Sequence, residues 1–139
     1  MKKLILLLLT IVFYSGYCQS SKIDSLLNLL KTEKNDTVKV LQLNSVCFEY
    51  ILLGEYYKGL SYAKQGLELS KKNKFDLGIS KSSGSLGLIY MNQGNYSEAL
   101  NSHFTALKIR EKLNDKAGIA ASYLNLGNIY RVIHNYNKA

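Results

Sequence analysis

Apolar and small residues recur three and four positions apart through most of the chain, the spacing that gathers side chains on one face of an α-helix. The pattern predicts helices near residues 22–34, 37–53, 55–72, 75–92, 96–113 and 115–133, with another starting at 136. Asp36, Asp76 and Asp115 stand at expected helix starts, and Asn73 and Asn114 at expected ends. Gly94-Asn95 breaks the fourth helix. Asn95, with Glu98 three residues later, then reads as a capping box for the fifth.

The helices repeat. Leu86-Gly87-Leu88-Ile89-Tyr90, leading to Gly94-Asn95-Tyr96, aligns with Leu126-Gly127-Asn128-Ile129-Tyr130 and Asn135-Tyr136 at an offset of 40. A further 40 residues back stand Val46-Cys47, Tyr50, Gly54 and Tyr56. Gly59 and Gly66 fall opposite Ala99 and Ala106, and Ala139 again falls opposite Ala99. Each unit reads as a helical hairpin. Leu86, Gly87 and Tyr90 share a face of its first helix, and Ala99, His103, Ala106 and Leu107 share a face of its second. A glycine inside a helix costs about 1 kcal/mol relative to alanine, so Gly87 and Gly127 imply that something packs closely against them.

The first residues follow another pattern. Lys2 and Lys3 precede an apolar stretch from Leu4 to Tyr14, and Gly16-Tyr17-Cys18 closes it with small residues. This is the layout of a secretory signal, with cleavage expected before Gln19. A span of the bilayer needs about 20 apolar residues, which this stretch does not reach. Lipidation of Cys18 is the alternative, although Tyr17 stands where such signals carry Gly or Ala. Removing Lys2 and Lys3 from the eighteen basic residues leaves sixteen against ten acidic ones, so +8 becomes +6. Lys71, Lys72 and Lys74 cluster near a helix end, where the helix dipole favours cations. No basic stripe with stacking partners points to nucleic acid. With Cys18 removed, Cys47 is the single thiol, so the fold relies on packing without an internal disulfide. There is no proline to interrupt a helix.

Candidate chemistry is sparse. His103 and His134 are 31 residues apart without a partner at ligand spacing, which argues against a metal site. Ser61-Tyr62-Ala63-Lys64 has the spacing of a serine acylase motif but lacks the companion elements. Gly84-Ser85-Leu86-Gly87 lacks the glycine frame and the Lys-Ser/Thr pair of a phosphate loop. Cys47 stands where the later units have glycine and reads as a packed small residue. No catalytic residue, cofactor or metal is assigned.

The repeated positions resemble the tetratricopeptide repeat, in which Leu-Gly and Tyr of one helix are followed by Gly-x-Tyr and two spaced alanines. Leu86-Gly87, Tyr90, Gly94, Tyr96, Ala99 and Ala106 carry the resemblance, as do Leu126-Gly127, Tyr130, Tyr136 and Ala139. Leu43, Ser83 and Tyr123 replace the usual tryptophan, the closing proline is absent, and the period is 40 instead of 34. The resemblance implies an all-α fold of antiparallel hairpins stacked as a right-handed solenoid. The expected division is a signal peptide over 1–18, an N-terminal helix over 19–35, and units over 36–74, 75–114 and 115–139, the last incomplete.

Further implied is a non-enzymatic scaffold, exported to the periplasm or beyond, that takes a protein or peptide partner, and not nucleic acid, in its concave groove. Carried over position by position, the lining would be Asn44, Phe48 and Ile51, then Lys81, Leu88 and Met91, then Leu124, Asn128 and Arg131. The long repeat form is also similar to exported regions that precede a membrane helix and a histidine kinase or DNA-binding output domain. The alternative reading is therefore the periplasmic sensory part of a longer signal-transduction protein, truncated here. Membrane attachment would then run through the missing C-terminal part.

Overall fold

The computed structural model describes residues 22–136. The expected signal over 1–18, with Cys18, and the last matched position, Ala139, lie outside the described residues. Six helices follow one another: α1 (22–32), α2 (Asp36–Leu52), α3 (Tyr56–Lys72), α4 (Asp76–Asn92), α5 (Tyr96–Lys112) and α6 (Lys116–Tyr136). There is no strand among the described residues. The chain is an all-α solenoid of antiparallel hairpins, as its periodicity requires.

The helix starts beat at an interval of twenty. Helices α2 to α5 are each 17 residues long and three-residue links join them. The same turn is used four times. Gly54 (φ 74°), Lys74 (φ 50°), Gly94 (φ 77°) and Asn114 (φ 54°) all take the left-handed conformation. Each is followed by a residue whose N–H reaches back five positions: Glu55 to Tyr50 O, Phe75 to Ser70 O, Asn95 to Tyr90 O and Asp115 to Arg110 O, at 2.8–2.9 Å. These bonds close the helix ends by satisfying carbonyls that the helix itself leaves free. Helix α1 ends at residue 32, in phase with the ends of α3 and α5 at Lys72 and Lys112. Its end thus keeps the 40-residue register of the second helices.

Two details differ from the sequence reading. The capping box is not formed: Asn95 is the N-cap of α5, but its side chain makes no capping bond. The turn expected near His134 is also absent, and α6 runs through to Tyr136. Gly54 and Gly94 reach the left-handed region without a Cβ, whereas a side chain there costs roughly 1–2 kcal/mol. His134 stands in that register position, and the helix continues past it. Of the three starts marked by aspartates, α4 begins after Phe75 with no side-chain cap, and the other two are capped. Asn35 accepts from the N–H groups of Thr37 and Val38 at the start of α2. Asp115 accepts from Gly118 N at 2.9 Å at the start of α6.

Curvature follows from which helices touch. Consecutive helices from α2 onward pack in pairs, α2 also meets α4, and α4 meets α6; α3 and α5 do not meet. The first helices of the hairpins therefore crowd the inside of the bend and the second helices spread around its outside. Between the layers lie Val40, Val46, Cys47, Ala63, Ile89, Ala99, His103 and Ala106, all fully buried. Hairpins are tied to one another by Tyr56 Oη donating to Asn92 Oδ1 at 3.0 Å. Within a hairpin, Tyr50 stacks on Tyr62 with ring centroids 5.6 Å apart, and Lys112 Nζ lies 2.6 Å from Asp76 Oδ2.

Candidate functional site

The inside of the bend holds a depression of about 700 Å³. Leu41, Phe48 and Leu88 give it apolar walls, and Asn125 of α6 and Leu26 of α1 bound its two ends. Residues 81, 84, 85 and 88 of α4 fall on one helical face by their spacing of three and four, so α4 presents Lys81, Gly84, Ser85 and Leu88 together.

Among the positions expected to line a groove, Asn44, Phe48, Lys81 and Leu88 meet in this depression. Phe48 is 49 % exposed, a large apolar surface left open to water. Asn44 is buried in the floor, where its Nδ2 donates to Val40 O and to Ser82 Oγ, both at 2.9 Å. Its Oδ1 has no partner. Met91, Asn128 and Arg131 do not line the depression, nor do Ile51 and Leu124. Asn128 and Arg131 lie further along α6, joined by a long 3.4 Å bond from Arg131 Nη2 to Asn128 Oδ1. Leu124 is 66 % exposed beside Tyr123.

Three further charged residues line the depression, two of them, Lys22 and Arg110, from outside the first helices. Lys22 of α1 and Glu49 of α2 form an ion pair at 2.6 Å, the carboxylate end buried and the ammonium end largely in water. Positions 89 and 129, in the same phase as Glu49, hold fully buried isoleucines. Glu49 thus sits in an apolar slot, and Lys22 neutralises it. The third is Arg110 from α5, whose Nη1 donates to Gly118 O at 3.0 Å and to Ser122 Oγ at 2.7 Å. Burial lowers the guanidinium's pKa, and the nearby Asp115 carboxylate partly offsets this.

Behind the groove lies the pair that spaces the two layers. The His103 ring is fully buried against Gly87, and neither of its nitrogens has a hydrogen-bond partner. Burial, reinforced by Arg110, pushes its pKa down to about 4, so the ring is neutral at pH 7. Cys47, in the place of Gly87 one unit earlier, is buried against Ala63, and burial pushes its thiol up to about 11. A thiol so protonated is a poor nucleophile. Among the described residues no group of three or more His, Cys, Asp or Glu is placed to hold a metal ion, and no helix is long and apolar enough to cross a membrane. The arrangement offers shape, apolar surface and charge.

Compared with known proteins, residues 78–139 match the family described as tetratricopeptide repeat. No curated protein matches the chain.

Proposed function

We propose, from the premise that this chain is a tetratricopeptide repeat protein, that it is an exported scaffold whose concave groove receives a segment of a protein partner. The observation that carries this is the depression on the inside of the bend, where the half-exposed Phe48 faces a second apolar wall containing Leu88. Its volume lies within the range of about 300–1,000 Å³ usual for ligand sites. An extended or helical segment fits a surface of this kind by placing apolar side chains at intervals along it.

A photo-crosslinking residue at position 88, compared with one at Lys108 on the outer helix α5, tests the reading in cells. A partner captured from position 88 and not from 108 is the expected result. Capture only from 108 would overturn it. Export rests on the basic start, apolar stretch and small-residue end of residues 1–18, and intact mass of the mature chain checks it: the expected species begins at Gln19, and a species that keeps residues 1–18 would overturn it.

A second reading, the sensory part of a longer signalling protein, draws on α6. Tyr123 and Tyr130 are each more than half exposed on one face of α6, whereas the counterparts of Tyr123 on α2 and α4, Leu43 and Ser83, are buried. That face has the form of a slot for one more helix. An apolar segment of about 20 residues downstream in the natural reading frame would favour this reading over a free scaffold.

A further inference from the structure

Arg110 belongs to a second helix, on the outer layer, yet its side chain borders the inner groove. What lets it through is residue 84. A Cβ built on Gly84 would stand 2.9 Å from Arg110 Nη2, with no other atom besides the same guanidinium within 4 Å. The equivalent positions of the neighbouring units hold Asn44 and Leu124, and a side chain of either size would fill the passage. The guanidinium is held from one side only, through Nη1, by Gly118 O and Ser122 Oγ. Its Nε and Nη2 have no acceptor among the described residues, and it makes no ion pair there. Lys81, one turn before Gly84 on the same face, is also without an ion pair, whereas the groove's one carboxylate, Glu49, is taken by Lys22. The lining of the groove therefore carries three cations against one anion: Lys81 makes no ion pair, and Arg110, although bonded through Nη1 and near Asp115, keeps Nε and Nη2 without an acceptor among the described residues.

We infer that Arg110 is the anion-recognising element of the groove, and that the segment it accepts is an acidic one: a Glu or Asp side chain that docks on Nε and Nη2, flanked by apolar residues that cover Phe48 and Leu88. A guanidinium fixed on one edge presents its remaining donors as a fork that suits a carboxylate. The half-buried position strengthens the attraction relative to open water. Lys81 adds a second, solvated charge that speeds encounter more than it holds the complex. This inference rests on the groove reading above and specifies what that groove selects.

The test is fluorescence anisotropy with a fluorescein-labelled ten-residue peptide alternating Glu with Leu and Phe, its Glu→Gln counterpart, and a ten-nucleotide thymidine oligonucleotide. The acidic peptide is expected to bind about tenfold or more tightly than the Gln peptide, with that advantage shrinking as salt rises. Arg110→Gln should remove most of the advantage, and Lys81→Gln about a third of its logarithm. Because Arg110→Gln also deletes bonds to α6, Gly84→Leu serves as a second variant: it leaves the arginine in place but closes its passage, and should likewise abolish the preference. Equal binding of the Glu and Gln peptides, an unchanged preference in either folded variant, or tighter binding of the oligonucleotide would overturn the inference. If both peptides bind equally and Phe48→Ala weakens both, the groove reading stands while the arginine site falls. If neither peptide binds at millimolar protein, both fall.

Discussion

The imidazole of His103 occupies the space that a β-carbon on residue 87 would need: a Cβ built there would lie 2.6 Å from Nε2, 2.7 Å from Cδ2 and 2.8 Å from Cε1. The ring is fully buried. The repeat-equivalent glycine, Gly127, has nothing within 4 Å of such a Cβ. Opposite signs are therefore expected from the same substitution. Gly127→Ala should stabilise by about 0.5–1 kcal/mol through helix propensity. Gly87→Ala gains the same propensity but overpacks, at a typical cost of 1–3 kcal/mol, and should destabilise on balance. Urea unfolding of the two variants decides this, and a stabilised Gly87→Ala would show that the layers are not in contact there.

One unit earlier the same slot is filled in the reverse manner, with Cys47 on the first helix and Ala63 on the second. The pair Gly87 and His103 should therefore be exchangeable for Cys and Ala as a unit. His103→Ala alone leaves a cavity, and Gly87→Cys alone collides with the ring. The double variant should lose about 1 kcal/mol or more less than the sum of the singles, the size of coupling expected for residues in contact. Additive losses in a double-mutant cycle would mean that the two positions do not share one space.

Acid should weaken the fold before the carboxylates titrate. His103 titrates near 6.5 when unfolded and at about 4 when folded, so between those values the unfolded chain binds the extra proton. Stability from this group is then complete above pH 6.5 and falls as the pH drops towards 4, with a limiting slope of about 1.4 kcal/mol per pH unit. Denaturant midpoints at pH 7, 6 and 5, compared between the wild type and His103→Gln, isolate the effect. Parallel pH profiles for the two proteins would rule out a buried neutral ring.

The ion pair between Lys22 and Glu49 anchors α1 to α2 across a slot that is apolar in the next two units. Removing the lysine alone leaves a buried carboxylate without its counter-ion, so Lys22→Met should cost about 1–2 kcal/mol, less than for a fully buried pair because the ammonium end is largely in water. Adding Glu49→Ile to that variant should restore the loss, since a buried pair replaced by packed apolar groups is often neutral or better. A double variant less stable than Lys22→Met in thermal melts would show that the carboxylate does more than occupy the slot.

The sequence was most readable where a rule of spacing governs. Apolar spacing three and four apart located every described helix to within two residues at its start, and turn residues left further marks at 54, 94 and 114. It failed at His134, where the mark is missing and only the backbone can report that the helix runs on. That Asn44, Phe48, Lys81 and Leu88 would share one surface was legible because they ride on first helices at repeated phases, and they line one depression. Arg110 was not, since it comes from an outer helix and reaches the groove through a gap. Its signal was present in the alignment all the same: Gly84 stands where the other units carry Asn44 and Leu124. The partnership of Lys22 with Glu49 was hidden because α1 looks like a separate leader until its end is seen to fall in phase.

The absence of contact between α3 and α5 makes the protein a strip that is bonded along its inner edge and slit along its outer one. Any change in the arc of such a strip widens or narrows the outer gap between α3 and α5 and falls on the seams between hairpins, where α3 packs on α4 and α5 on α6. Each hairpin is meanwhile tied within itself, where Tyr50 and Tyr62 stack and Lys112 grips Asp76, so the hairpin is the unit that such a change would move as a whole.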